Sequence, residues 1–237
     1  MATTRRLRRL TQAGVTAAAV MVAVAVGPIV SHDPTAAAVD AKAIRVTSSN
    51  LITDPGTGQP EVVLSLYEDS LCPYCRRFEQ TFGATVDKLI DTGAVAADYY
   101  MVAILDRPGR DYSSRAGAAA YCVADQSIDA FRRFKAALYA HQPAESAPSF
   151  PDNAALVDTA RQAGAGDAAA GCINNGTYTA MVAGMADATN VTHTPTVRIN
   201  GQDYELSTPD ALVARIKEIV GDVPGIDAAT PTPAPPR

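Results

Sequence analysis

The chain has 237 residues, of which 47% are hydrophobic and 19% charged, and its net charge at pH 7 is −5. Residues 1–38 hold four Arg and one Asp, so the rest of the chain carries 16 basic and 24 acidic side chains, a net charge of −8. Nucleic-acid binding depends on neutralising phosphates with Lys and Arg, so this acidic balance argues against nucleic acid as a partner.

The N-terminal residues 1–38 have the layout of an export signal. Arg5, Arg6, Arg8 and Arg9 precede an apolar run at residues 13–30, and three alanines at 36–38 offer a cleavage site. This pattern is typical of a secretory signal peptide. The run is also long enough for a membrane anchor. We therefore expect an exported, extracytoplasmic protein of the cell envelope, either secreted after cleavage or anchored by this segment.

The opposite end, residues 224–237, reads PGIDAATPTPAPPR and is rich in Pro, Ala and Thr. It has little to bury, which predicts a disordered tail. The folded part is then expected at about residues 42–223. That length suffices for one buried core, and an inserted subdomain can be accommodated.

The first predicted elements form a β-α-β unit. AIRVTS (43–48) indicates a short strand and EVVLSLYED (61–69) a buried one. In the following helix, apolar residues recur at helical spacing and Gly93 is a candidate C-cap. VAADYYMVAIL (95–105) is a second strong strand. Two strands joined through a helix in this way are expected to be parallel.

The pattern then becomes helical. Residues 112–188 are rich in alanine with almost no strand signal, and strands return at TPTVRINGQDYEL (194–206), with a hairpin turn at Asn200 and Gly201. Thr208 is a candidate N-cap for a last helix. The order predicts an α/β thioredoxin fold with an inserted helical domain. Residues 42–110 and 190–222 would form the thioredoxin-fold domain and 111–189 the helical insertion.

The chain contains four cysteines, Cys72, Cys75, Cys122 and Cys172, which allow three pairings. Exported proteins tend to have oxidised thiols. The close spacing of Cys72 and Cys75 makes one bridge self-evident, and this leaves Cys122 with Cys172. The second bridge is interpreted as structural, with a second redox couple as the alternative.

The segment CPYC stands where a strand gives way to a helix. Cys72 would lie beside the free N–H groups and the positive dipole end of that helix, and both lower the pKa of a thiol. Pro73 suits the first helical position, where a missing N–H costs nothing. Cys75 lies one turn further in, less exposed. Cys72 would form a mixed disulfide with a substrate, and Cys75 would resolve it.

A zinc site and an inert structural bridge are the other uses of such a cysteine pair. A zinc site needs four ligands, usually as two close pairs. Cys122 and Cys172 form no second close pair, and His32, His141 and His193 form no ligand motif. An inert structural bridge would close almost no loop and would stabilise little. Redox chemistry is therefore favoured, and it implies neither a metal nor an exogenous cofactor.

The stretch LYEDSLCPYCRRFE, the helical insertion and HTPTVRINGQ together resemble the DsbA family of thioredoxin-fold thiol–disulfide oxidoreductases, over about residues 42–222. The exported proteins of Gram-positive and actinobacterial type are the most similar. The resemblance implies a cis-proline at Pro195 beside the cysteines, with Thr194 contacting substrate peptide. Pro73 and Tyr74 would also face the substrate. CPYC occurs in glutaredoxins too, but these are shorter, cytosolic and lack the insertion.

One position departs from the family pattern. Many members keep a buried acid six residues before the first cysteine, where it moves protons for the second; this chain has Leu66 there. Glu68 shares the strand face of Leu66 by period-two alternation, so it is the predicted substitute. A solvated acid at the end of a strand is the alternative.

The resemblance implies an enzyme that introduces disulfides into reduced exported proteins through Cys72 and Cys75. A quinone-linked membrane protein of the DsbB or VKOR type would reoxidise it, and it would be a monomer. A second bridge like that of Cys122 and Cys172 occurs in the actinobacterial proteins. A reductase or isomerase with the same site is the first alternative, and a non-catalytic peptide-binding or chaperone module is the second.

Overall fold

A computed structural model describes residues 41–227. The predicted signal or anchor and the end of the predicted tail lie outside the described residues. Within residues 41–227, no helix combines the length and the apolar character needed to cross a membrane.

The described residues contain a five-stranded sheet. In chain order its strands are β1 (Ile44–Val46), β2 (Val63–Glu68), β3 (Ala96–Met101), β4 (Thr196–Ile199) and β5 (Gln202–Asp203). Their order across the sheet is β1-β3-β2-β4-β5. β2 and β3 are parallel, as predicted, and the other pairs are antiparallel. The central strand β2 therefore has neighbours on both sides up to Tyr67, and its last residue, Glu68, pairs with Met101 of β3.

Two helices belong to the thioredoxin part. α1 (Pro73–Asp91) follows β2 and buries Phe78, Phe82, Val86, Leu89 and Ile90 among others. Gly93 ends this helix at φ +82°, and a Cβ there would lie 2.1 Å from the Asn50 carbonyl oxygen, so only glycine fits. The last helix, here named α7 (Pro209–Val220), begins at Thr208, whose hydroxyl accepts a hydrogen bond from the Ala211 N–H at 3.1 Å.

Five helices lie between β3 and β4. They are α2 (Tyr112–Ala124), α3 (Ile128–Ala140), α4 (Asn153–Gln162), α5 (Asp167–Asn174) and α6 (Thr179–Ala188). α2 contacts α3, α4, α5, α6 and β3, and most of its residues are buried. Gly117 allows this close packing, because a Cβ there would lie 2.7 Å from Val182 and 3.0 Å from Met101. The predicted thioredoxin fold with a helical insertion is confirmed.

Two features differ from the expected boundaries. The second strand of the predicted hairpin, QDYEL, is reduced to Gln202–Asp203. Ile226 lies in the segment predicted as a tail, yet it is buried in the hydrophobic core. This burial was not predictable from the sequence, because a single isoleucine among Pro, Gly and Asp has no periodic pattern around it.

A disulfide joins Cys122 of α2 to Cys172 of α5, with their Cα atoms 5.7 Å apart. Cys122 is buried in the core and Cys172 packs against it. The bridge closes a loop with a sequence separation of 50 residues. It thus fixes α5 to the most buried helix of the insertion.

Replacing both residues, Cys122→Ala with Cys172→Ala, is expected to lower the free energy of unfolding by up to about 4 kcal/mol, because the unfolded chain regains the entropy of the open loop. Urea denaturation of the variant and the native protein under oxidising conditions measures this difference. The free energy of unfolding of native protein with its disulfides reduced should lie closer to that of the variant than to that of the oxidised native protein. An unchanged unfolding midpoint would contradict a stabilising role for this bridge.

Candidate active site

The two remaining cysteines lie where β2 leads into α1. Cys72 is the N-cap of α1 with extended backbone (φ −71°, ψ 120°), and Pro73 is the first residue of the helix. Cys75 follows within the first turn. Both are present as free thiols, with Cys72 5% exposed and Cys75 fully buried. The strand-to-helix position predicted for the pair is the one observed.

The surroundings of Cys72 favour its thiolate. Its pKa is lowered from 9.0 to about 6, chiefly by the hydrogen bond to the Cys75 thiol. The Thr194 side chain and the N–H groups of Cys75 and Tyr74 act in the same direction, while burial opposes them. These N–H groups belong to the open first turn of α1, where an anion is stabilised. Cys72 is therefore largely ionised at neutral pH.

The surroundings of Cys75 have the opposite effect. Burial raises the pKa of the Cys75 thiol well above 9.0, and its hydrogen bond to Cys72 and the charge of Glu68 raise it further. Two sulfurs three residues apart thus have widely separated affinities for a proton. One is a nucleophile and leaving group, and the other needs a base to lose its proton.

The segment before β4 lies against Cys72. The Thr194–Pro195 peptide bond is cis. Cys72 Sγ lies 3.4 Å from the Thr194 backbone carbonyl oxygen, to which the protonated form of the thiol donates a hydrogen bond. Pro73 and Tyr74 are exposed beside the cysteine, and the Tyr74 side chain is 64% exposed. The structure therefore brings the residues predicted to contact substrate to one place.

Glu68, the last residue of β2, is 1% exposed. It is a buried acid and not a solvated one at a strand end. Burial raises its pKa, the charge of Lys135 lowers it, and the charge of Glu79 raises it again. Leu66, at the position where the family keeps its acid, is buried as well. Period-two alternation identified this residue, but only the fold shows what faces it.

Lys135 of the insertion helix α3 supplies a buried cation. Its Nζ lies 3.9 Å from Glu68 Oε1, and it also forms an ion pair and hydrogen bond with Glu79. Burial alone would lower the Lys135 pKa, but the two carboxylates outweigh burial and raise it. Lys135 therefore stays charged, and it holds together two acids that flank the cysteines.

Two more residues of the same insertion segment reach the site. Tyr139 packs in a small buried cluster with Cys72 and Cys75. Gln142, just after α3, donates hydrogen bonds from Nε2 to the carbonyls of Ser70 (3.0 Å) and Cys72 (2.9 Å). Lys135 and Tyr139 are four residues apart in α3, so they share one helix face, and Gln142 follows the end of that helix. Sequence reasoning missed all three, although a lysine among the apolar residues of a predicted helix was a usable signal.

Asp69 holds the loop between β2 and Cys72. It is fully buried and accepts hydrogen bonds from the Ser113 hydroxyl (2.6 Å), the Leu71 N–H (2.8 Å) and the Leu105 N–H (2.9 Å). Burial raises its pKa to about 6, and these hydrogen bonds oppose the rise. Asp69 thereby ties the cysteine loop to the segment after β3 and to the start of α2.

Among residues 41–227, no group of three or more His, Cys, Asp and Glu side chains is arranged to hold a metal ion. A stabilised thiolate next to a buried thiol on the same helical turn is the arrangement that thiol–disulfide exchange requires. Together with the sheet order and the position of the cysteines, it defines a thioredoxin-fold thiol–disulfide oxidoreductase.

Comparison with known proteins agrees with this class. Residues 52–218 match the family model described as Thioredoxin. The structure is similar to DsbA from Mycobacterium tuberculosis, at 63% identity and a TM-score of 0.76, over 78% of this chain and 96% of that one. It is also similar to MdbA, a thiol-disulfide oxidoreductase from Corynebacterium matruchotii, at 25% identity and a TM-score of 0.60, over 71% and 85% of the two chains.

Curated relatives include the serine/threonine-protein kinase PknE of Mycobacterium tuberculosis, at 29% identity over 155 residues. The match covers 63% of this chain but spans only 27% of that kinase, so the likeness concerns one part of a longer protein. The chain belongs to the thioredoxin family, and within it to the DsbA-like thiol–disulfide oxidoreductases. It is a disulfide oxidoreductase that acts by thiol–disulfide exchange.

The separated thiol pKa values predict a two-step titration of the reduced protein. Absorbance of the thiolate at 240 nm should rise once with a midpoint near pH 6, from Cys72, and again only well above pH 9, from Cys75. A Cys72→Ser variant should lose the first step alone. Two thiols that titrate together near pH 9 would contradict the proposed environment.

The same shift sets the direction of a stability change. The Cys72 pKa is lower in the folded state than in the unfolded one, so it stabilises the reduced protein fully above about pH 9. This stabilisation is lost as the pH falls towards 6.

Proposed function

We propose that this protein is an extracytoplasmic dithiol oxidase, which introduces disulfides into reduced exported proteins by donating a disulfide formed between Cys72 and Cys75. The observation that supports this direction is the position of Cys72 as the N-cap of α1, where the Cys75 thiol and free N–H groups lower its pKa to about 6. A stable Cys72 thiolate stabilises the reduced enzyme, and a stabilised reduced form makes the disulfide a stronger oxidant.

The reaction proceeds by two exchanges. A substrate thiolate attacks the Cys72 sulfur, the bond between Cys72 and Cys75 breaks, and Cys75 leaves as a thiolate that takes up a proton. A second substrate thiolate then attacks the substrate sulfur of the mixed disulfide, and Cys72 leaves as a thiolate. The substrate loses two electrons and gains a disulfide, while the enzyme ends as a dithiol.

Each site residue has a role in this proposal. Glu68 gives a proton to Cys75 when it leaves and takes the proton back in the reverse direction. Thr194 and Pro195 border Cys72, where the Thr194 backbone contacts an extended substrate peptide. Pro73 and Tyr74 present an exposed surface beside the reactive sulfur.

The cellular setting is also proposed. The N-terminal pattern of arginines, apolar run and small residues supports export to the cell envelope. Each turnover leaves the enzyme reduced, so a partner must accept two electrons. A quinone-linked membrane protein of the DsbB or VKOR type would do so. We propose that the enzyme acts as a monomer and that the bridge of Cys122 and Cys172 is structural.

The reduction potential of the site distinguishes an oxidase from a reductase. We expect a value clearly more positive than that of thioredoxin, about −270 mV, because the Cys72 thiolate stabilises the dithiol form. Equilibration with glutathione buffers, followed by thiol trapping of Cys72 and Cys75, measures it. A potential close to that of thioredoxin would support the reductase alternative.

Removing the nucleophile distinguishes catalysis from simple peptide binding. Cys72→Ala should abolish oxidation of a reduced test protein, because no mixed disulfide can form. The matched control is the double variant Cys122→Ala with Cys172→Ala, which should retain exchange at a temperature where it is folded. Oxidation that persists in Cys72→Ala would point to a different site, with the protein serving as a binding module.

A further inference from the structure

Unpaired polar atoms are concentrated at the cysteines. Among the described residues, the buried side-chain atoms without a hydrogen bond of good geometry are both Glu68 oxygens, the Ser70 hydroxyl and the Tyr139 hydroxyl. Such a group costs about 1–3 kcal/mol, and native structures contain few of them. All of them lie in residues that adjoin the cysteine pair. The free-energy cost of unpaired polar groups is therefore concentrated at the site of the chemistry.

Tyr139 connects these groups. Its side chain is 1% exposed and packs with Cys72 and Cys75 in one buried cluster, with Leu105 against it. Its hydroxyl is close enough to the Glu68 carboxylate to interact with it and favour the charged form, although the hydrogen-bond geometry is incomplete. Cys75 and Glu68 are also the two charges that most affect the Tyr139 hydroxyl. The phenol therefore belongs to the buried cluster that holds the sulfur, and it interacts electrostatically with the acid.

We propose that the Tyr139 hydroxyl carries the proton between Glu68 and Cys75, so that the helical insertion supplies a residue of the exchange reaction. This inference rests on the proposed role of Glu68. When Cys75 leaves as a thiolate, Tyr139 gives its hydroxyl proton to the sulfur and receives one from the Glu68 carboxyl. In the reverse direction the Glu68 carboxylate takes a proton from Tyr139 as Tyr139 takes one from the Cys75 thiol, and that thiolate attacks.

The chemistry of the phenol suits this role. A tyrosine hydroxyl has one proton to donate and lone pairs to accept another, so it can do both in one step. Burial raises the Tyr139 pKa well above 10, and the charges of Glu68 and Cys75 add to the rise. The residue is neutral before and after the transfer, because every proton that it gives is replaced.

The groups that surround the proton transfer between Glu68 and Cys75 come from α3, the α1 region and β3. Lys135 of α3 lies 3.9 Å from Glu68, and its Nζ is 5.7 Å from the centre of the Tyr139 ring. Glu79 and Cys72 of the α1 region oppose ionisation of Glu68. Tyr99 of β3 faces Lys135 at 5.0 Å from its ring centre and is itself fully buried. Lys135 thus balances the acids and lets Glu68 release as well as accept a proton.

The variant Tyr139→Phe tests the relay, because it removes the hydroxyl and keeps the ring. Reduced protein is mixed with excess oxidised glutathione and quenched with acid over time. The amount of mixed disulfide on Cys72 then gives the rate at which Cys75 resolves it. We expect resolution to slow by about tenfold or more. The loss of a proton-transfer group usually slows a reaction by about 10²–10⁴-fold, so tenfold is a lower bound. Formation of the mixed disulfide should be unchanged.

The pH profile separates this role from a structural one. In native protein the resolution rate should level off once Glu68 is ionised. In Tyr139→Phe it should continue to rise with pH, because hydroxide must then deprotonate Cys75. The matched control is Tyr121→Phe. The hydroxyl of Tyr121, which lies in α2 of the insertion, donates a hydrogen bond to the Lys42 carbonyl at 2.7 Å. This variant should lose some stability and keep the native resolution rate and profile.

Glu68→Gln separates the relay from the role of the acid. If both Tyr139→Phe and Glu68→Gln slow resolution, and the double variant is no slower than Glu68→Gln, the relay is supported. If Glu68→Gln slows resolution and Tyr139→Phe does not, Glu68 acts on Cys75 directly and the relay is wrong. If neither slows it, the relay and the proposed role of Glu68 both fail. The proposed oxidase activity would still be tested separately by the reduction potential.

Discussion

The chemistry of this protein depends on the position of one sulfur at the first turn of α1. Cys72 caps that helix, and it receives hydrogen bonds from groups that the helix itself leaves free. Cys75, three residues later, lies in the core, where burial outweighs the backbone hydrogen bond from Asp69. A single helical turn thus separates the two thiol pKa values. This separation makes Cys72 a good leaving group, whereas Cys75 takes up a proton when it leaves.

The insertion is part of the active site as well as of the fold. Helix α3 brings Lys135 and Tyr139 to the buried side of the cysteines, and Gln142 after it fixes two carbonyls of the cysteine loop. Ser113 of α2 holds Asp69. Buried charges cost several kcal/mol each unless they are well paired. Glu68 has a buried cation nearby but incomplete hydrogen bonds, an arrangement suited to an acid that exchanges its proton.

Much of the fold could be predicted from the sequence because its signals are local. The β-branched run of β2, the apolar spacing in α1 and the cysteines between them are each contained in a few residues. The loop-closing glycine at 93 and the cap at Thr208 are local as well. Glu68 was only half predictable: alternation placed it on the face of Leu66, but burial depends on what covers that face. The buried Ile226 was missed because no periodic pattern of apolar residues surrounds it.

The sequence by itself determined the order of the elements, the place of the reactive pair at a strand-to-helix junction and Glu68 as the candidate acid. The tertiary structure alone decided that Glu68 is buried beside Lys135 and that Tyr139 packs in one buried cluster with the two cysteines. Lys135 and Tyr139 stand 67 and 71 residues after Glu68 in the sequence. Contacts across such distances arise from packing α3 on α1, and no local pattern encodes which side chains that packing brings together.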